Sequence, residues 1–168
     1  MPDLTTPRLV LRALSVDEAR AIRDGRTIPG LSFAEGYPLP DTPDGVGLFL
    51  RRAESTFGFF LVVRRDDGVV VGEIGFFGPP QRGAVTIGYA VVPGARRQGH
   101  ATEAIRAVAD WALAQPGVEE VRAMIERENE PSERALLRVG FVEVAATEKA
   151  RSFSYRGLSA TSSPPSVS

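Results

Sequence analysis

The segment Pro93-Gly94-Ala95-Arg96-Arg97-Gln98-Gly99-His100-Ala101 concentrates residue types that can hold an anion. Glycine and alanine remove side-chain bulk where a loop turns into a helix. The first N–H groups of such a helix have no intrahelical partner, and the helix dipole adds positive potential there. Arg96 and Arg97 add formal charge. A diphosphate is the natural guest. No Gly-Lys-Ser/Thr follows, so the segment is not a P-loop, and it lacks the G-x-G-x-x-G spacing of a dinucleotide fold. On spacing alone, a solvated loop with two surface arginines accounts for it equally well.

Scarcity bounds the remaining chemistry. The 168 residues include no cysteine and one histidine, His100. A disulfide framework, a thiol nucleophile and a thiolate metal site are therefore excluded, and a zinc site would lack its usual ligands. Basic and acidic residues number 20 and 21, for a net charge of −1, so the whole molecule has no attraction for nucleic acid or an anionic membrane. No run approaches the roughly 20 apolar residues of a membrane span. Met1-Pro2-Asp3-Leu4-Thr5 has neither the basic nor the apolar region of a signal peptide. A cytoplasmic protein is the expectation.

The loop needs elements to position it. Residues 8–14 read as a strand, and Ser15 with Glu18 forms a capping box for a helix over 16–25. Residues 26–45 are rich in Gly, Pro and Asp and read as loop; a helix over 43–56 follows, with Val46, Phe49, Leu50 and Ala53 on one face. Strands over 58–65 and 69–77 flank the turn Asp66-Asp67-Gly68, and a third spans 84–92. Gly72, Gly75 and Gly88 inside these strands signal bulges or close backbone approach. Ala101, Ile105, Val108 and Ala112 form the stripe of a helix over 99–115, followed by a strand over 118–126. That strand–helix–strand unit predicts a right-handed parallel crossover. Pro131 starts a helix that Gly140 stops, and strands over 141–148 and 151–157 close the domain. Residues 159–168, rich in Ser and Pro, read as a disordered tail after a single domain over 1–158.

Four motifs in order make a resemblance specific. Arg96-x-x-Gly99-x-Ala101 resembles the Q/R-x-x-G-x-G/A signature of the GCN5-related N-acetyltransferases (GNAT). Ile87-Gly88-Tyr89-Ala90-Val91-Val92 before it and Ala101-Thr102-Glu103-Ala104 after it fit the same context. Asn129-Glu130-Pro131-Ser132 with Gly140-Phe141 resembles the family's N-x-x-S…G-F segment. Leu4-Thr5-Thr6-Pro7-Arg8-Leu9-Val10-Leu11-Arg12 looks like the start of the RimJ/RimL-like ribosomal-protein N-acetyltransferase branch.

The resemblance implies an α/β (α+β) fold. Its mixed, mostly antiparallel twisted sheet has about seven strands, helices on both faces and a splay between the parallel strands of the crossover. It also implies acetyl-CoA as co-substrate, with no metal. The loop from Arg96 through Arg97, Gln98, Gly99, His100 and Ala101 to Thr102 would hold the diphosphate. Main-chain groups of Val91 and Val92 would pair with the pantetheine arm like an added strand, and Asn129 would fix that arm.

Direct transfer of an acetyl group to an amine needs a base for the amine, polarisation of the carbonyl and a proton for the thiolate. It needs no protein nucleophile. By the resemblance Ser132 is the proton donor; a first-turn serine that satisfies the backbone is the alternative. The tyrosine that many relatives place four residues before Gly-Phe is here Leu136, and their glutamate two residues before the strand glycine is here Thr86. Glu73 is a candidate base if buried beside the cleft, and an outward strand charge otherwise. His100 reads as a phosphate contact or surface residue, Asp66-Asp67 as turn chemistry and Trp111 as packing. Phe33, Tyr37 and Phe49 are candidates for the acceptor entrance. The acceptor would be a protein N-terminus or a small-molecule amine, and a homodimer stays open. A non-catalytic acyl-CoA-binding or regulatory module of the same fold is the competing reading, and a phosphate-ligand binder unrelated to CoA a third.

Overall fold

The computed structural model describes residues 1–158; the proposed tail at 159–168 lies outside them. Two strands open the chain, β1 (Leu4–Thr5) and β2 (Leu9–Ala13). Helix α1 (Val16–Arg23) starts on the predicted capping box. Ser15 Oγ accepts the Glu18 N–H at 3.2 Å, and the Glu18 carboxylate accepts the Ser15 N–H at 3.0 Å. The stretch expected to be loop contains β3 (Ser32–Phe33), which runs parallel to the strand at 69–76. Helix α2 (Thr42–Arg51) is shorter than the predicted 43–56, and Val46 is its fully buried anchor.

Strands β4 (Phe59–Arg64), β5 (Val69–Phe76) and β6 (Ala84–Val91) form the antiparallel centre. Gly72 on β5 is a close-approach position: a Cβ there would lie 2.3 Å from the Ala90 carbonyl oxygen. A register shift at Val62/Val63 on β4 sits opposite this point. A single 3₁₀ turn, Pro93–Ala95, links β6 to helix α3 (His100–Leu113). After α3 come β7 (Glu120–Glu126), helix α4 (Glu130–Val139), β8 (Val142–Ala146) and β9 (Ala150–Tyr155).

The sheet order is β1-β2-β4-β5-β6-β7-β9-β8, with β3 beside β5. Only β6–β7 and β3–β5 are parallel among the described strands. Nine strands replace the expected seven because β1 and β3 have two residues each, too few to show alternation. Helices cover both faces. On one, α3 and α4 pack over Phe60, Ile74, Ile87, Val121 and Phe153; on the other, α1 and α2 pack over Phe59, Leu61 and Val70. Trp111 on α3 meets Phe57 and Phe60 edge-on, with ring centroids 5.7 and 6.4 Å away, so it is a packing residue as its position suggested. No helix among the described residues is long and apolar enough to cross a membrane.

The buried stripe of α3 is Ala104, Ile105, Val108, Ala109 and Ala112. Ile105 is completely buried, so Ile105→Ala leaves a cavity beneath the helix that carries the anion loop. Urea unfolding is expected to show a loss of about 2–5 kcal/mol.

The crossover contains the feature that matters for function. β6 and β7 pair from Ala84/Glu120 to Ile87/Ala123, and there the pairing stops. β7 continues against β9 as far as Glu126, while β6 continues against β5 as far as Val91. Residues 88–91 of β6 therefore border a slot in the sheet.

Candidate active site

The anion loop turns through two left-handed residues, only one of them a glycine. Gly99 is the N-cap of α3 with φ +79°, and Arg97 also takes a left-handed φ of +62°. The first helical bond here runs from the Glu103 N–H to the Gly99 carbonyl. Among the described residues, the six consecutive N–H groups from Arg97 to Thr102 donate to no protein acceptor. That is the cradle a diphosphate needs. The His100 ring does not join it. It is buried, with Nδ1 3.2 Å from the Ala95 carbonyl oxygen, and contributes only its N–H to the loop. Arg96 folds back, its Nε donating to the Val91 carbonyl at 3.0 Å.

A residue the sequence reading left out, Arg8, stands over the same helix start. Its guanidinium donates to the Gln98 carbonyl at 2.6 Å and pairs with Glu103 at 2.8 Å. The Glu103 carboxylate also accepts the Thr6 hydroxyl at 2.5 Å. A cavity of about 390 Å³, lined by Arg8, Gly99, Thr102, Arg106 and Arg138 among others, opens beside it. Its charge suits the phosphate end of a nucleotide-bearing ligand.

The slot presents main-chain groups, but from a different pair of residues than expected. Successive residues of a strand turn their N–H and C=O to opposite edges. The Thr86 carbonyl and the Val92 N–H both bond toward β5, to the Phe77 N–H and the Val71 carbonyl. The groups of Tyr89 and Val91 therefore face the slot, and Val92 does not supply the N–H assigned to it. Val92 is also 1% exposed.

At the slot's mouth stands Ser132 in the first turn of α4. The cap residue Asn129 accepts the Ser132 N–H at 3.2 Å through Oδ1. Asn129 and Ser132 are thus one structural unit. The Ser132 hydroxyl is not used as a cap. It donates to the Tyr89 hydroxyl at 2.8 Å, across the gap between β6 and α4. Burial pushes the Tyr89 phenol up to about 12, against the pull of the Ser132 contact.

Glu73 settles the choice posed by its position: it is 7% exposed, not an outward charge. Tyr37 and Thr42 donate to its Oε2 at 2.9 and 2.8 Å. Thr42 Oγ1 in turn accepts the Leu39 N–H at 2.9 Å. Among the described residues no donor reaches Oε1. Burial raises the Glu73 carboxyl above the ordinary carboxylate range, and the two hydroxyl donors moderate the rise. Burial and the nearby carboxylate likewise raise the Tyr37 phenol. Of the proposed entrance residues, Phe33 stacks on Tyr37 at 5.3 Å and so borders this carboxylate. Phe49 lies apart, against Gly58 and near Met1.

The two candidate groups lie on opposite faces of the sheet, Glu73 one strand away from the slot. Glu73 lies opposite Ala90, and Ile74 opposite Tyr89, in the β5–β6 register. Neighbouring strand residues point to opposite faces. Glu73 accordingly faces α1 and α2, whereas Tyr89 faces α3 and α4. Sequence reasoning used Tyr89 only as part of the Ile-Gly-Tyr context. Its signal, a hydroxyl at the end of the parallel pairing, appears only once the register is known. Among the described residues there is no cluster of metal-ligating side chains.

Comparison with known proteins identifies the family and the fold. Residues 8–142 match the family model of the acetyltransferase (GNAT) domain. The chain is 30% identical over 149 residues to the uncharacterised N-acetyltransferase YjdG of Bacillus subtilis, a match covering 83% of this chain and 89% of YjdG. An acetyltransferase from Agrobacterium tumefaciens superposes with a TM-score of 0.69 at 23% identity, covering 94% of this chain and 95% of that one. The ribosomal L7/L12 α-N-protein acetyltransferase RimL, solved in complex with coenzyme A, has the same fold. Its TM-score is 0.68 at 12% identity, over 92% of this chain and 98% of that one. With the family model spanning the slot, the cradle and the first turn of α4, the chain belongs to the GNAT family of acetyltransferases.

Proposed function

We propose that this protein transfers an acetyl group from acetyl-CoA directly to an amine, on a protein N-terminus or a small molecule, within a ternary complex. The observation that carries this reading is the pair of groups on the two faces of the sheet around β6, a buried carboxylate on one face and a paired hydroxyl on the other. The residues present fit acetyl-CoA as substrate. The six N–H groups of Arg97 to Thr102 suit its diphosphate, and the main-chain groups of Tyr89 with the Val91 N–H suit its amide-bearing arm, the Val91 carbonyl being held by Arg96.

Glu73 Oε1 takes a proton from the amine as nitrogen attacks the carbonyl carbon. The Val91 N–H, facing the slot, lies where it can polarise the carbonyl oxygen. Ser132 gives a proton to the sulfur as the carbon–sulfur bond breaks. The N-terminal likeness to the RimJ/RimL branch, and the shared fold with an enzyme solved with coenzyme A, support a protein N-terminus as the first acceptor to test.

Ser132→Ala tests the role of the serine. General-acid loss is expected to lower turnover about 10- to 100-fold, with CoA affinity by calorimetry within about twofold of wild type. Equal losses in both would make Ser132 a binding residue only.

A further inference from the structure

Tyr89 carries a partly buried hydroxyl beside the slot that the mechanism above leaves without a task. A serine hydroxyl does not ionise in the range where proteins work, so Ser132 alone is a weak proton source for a departing thiolate. A phenol is more acidic, even where burial raises it as at Tyr89. Tyr89 Oη sits 2.8 Å from Ser132 Oγ, with its ring anchored among core residues on the α3 side of the sheet. Hydroxyl hydrogens rotate, so this contact can run in either direction.

We propose that Tyr89 is the proton source behind Ser132, so that the two hydroxyls form a relay aimed at the thioester sulfur. This rests on the reading of Ser132 given above. As the carbon–nitrogen bond forms and the carbon–sulfur bond breaks, the Ser132 Oγ proton passes to sulfur. The Tyr89 Oη proton passes to Ser132 Oγ. The amine proton has gone to Glu73, which releases it to water after turnover, and Tyr89 regains one from water. The net change is amine plus thioester to amide plus thiol. Tyr89 acts through Ser132, so it is a positioning and proton-supplying residue that never touches the acetyl group. It fills the chemical role of the tyrosine whose usual position holds Leu136, from strand β6 instead of helix α4.

The test needs no acceptor amine. Thiolate absorbs in the near ultraviolet, so the thiol of CoA can be titrated in its complex with the intact protein. A hydroxyl relay stabilises the thiolate and lowers the bound thiol below its free value. Ser132→Ala is expected to raise the bound-thiol pKa by about one pH unit or more, as the loss of a charge-assisted hydrogen bond requires. Tyr89→Phe, which keeps the ring, is expected to raise it by about half a pH unit through lost polarisation of Ser132. The double variant should match Ser132→Ala alone. Replacing Tyr89 with the more acidic 3-fluorotyrosine keeps ring and hydroxyl and should shift the value down, which a purely structural role would not do.

If Ser132→Ala shifts the thiol but neither change at Tyr89 does, the relay is wrong and the role of Ser132 stands. If Ser132→Ala has no effect, the reading of Ser132 fails and the relay fails with it.

Discussion

Gly99→Glu is expected to weaken CoA binding by about 100-fold or more, read by calorimetry on the folded variant. Two physical effects act together. Gly99 has φ +79°, where a side chain is strained, and a Cβ there would lie 2.9 Å from an Arg8 guanidinium nitrogen. The new carboxylate would pair with Arg8 and occupy the space above the six free N–H groups, displacing a diphosphate by charge and by volume. Gly94→Glu is the matched control. It adds the same charge at a nearby turn position where a Cβ meets nothing within 4 Å, and its affinity should stay within about threefold of wild type. If both variants bind equally well, the anion site lies elsewhere.

Glu73→Gln should separate activity from stability. As the general base, its loss is expected to lower kcat/KM by about 100-fold or more, and to abolish the rise in rate with pH that reports its ionisation. Stability should move the other way. Burial raises the Glu73 carboxyl in the folded protein above its unfolded value of 4.5. The folded state therefore holds the proton more tightly. The stabilisation this gives is complete below the unfolded pKa and is lost as pH rises through the folded one. Glutamine mimics the protonated form at every pH. Denaturant midpoints should show wild type losing stability across that window, while Glu73→Gln loses less and equals or exceeds wild type at pH 8. A wild-type pH–rate profile in Glu73→Gln would remove Glu73 from the reaction.

Glycine, alanine and adjacent arginines at a helix start are a local signal, and the helix that they predict starts there, on Gly99. The left-handed Gly99 and the Asn129 cap on Ser132 became visible only in the structure. What escaped the sequence is set by long-range register. Val92 was expected at the slot edge and Tyr89 was passed over, although the two differ by three positions. Which of them turns its main chain to the slot depends on pairing with β5. Glu73 posed the same difficulty: its burial comes from Tyr37 and Thr42, which reach it from a segment with no periodicity of its own. Arg8 meets the loop only because β2 and the start of α3 converge at one end of the molecule, 90 residues apart in the chain.

The most direct test is to incubate the protein with acetyl-CoA and a panel of peptide N-termini and small amines, following free thiol and the mass of every component. Thiol should appear only when protein and a suitable amine are both present, in one-to-one ratio with acetyl on the amine nitrogen. No acetyl should be found on the protein when amine is withheld. Tight acetyl-CoA binding with no thiol released by any amine would contradict catalysis and favour a binding module. Acetyl recovered on the protein itself would contradict direct transfer.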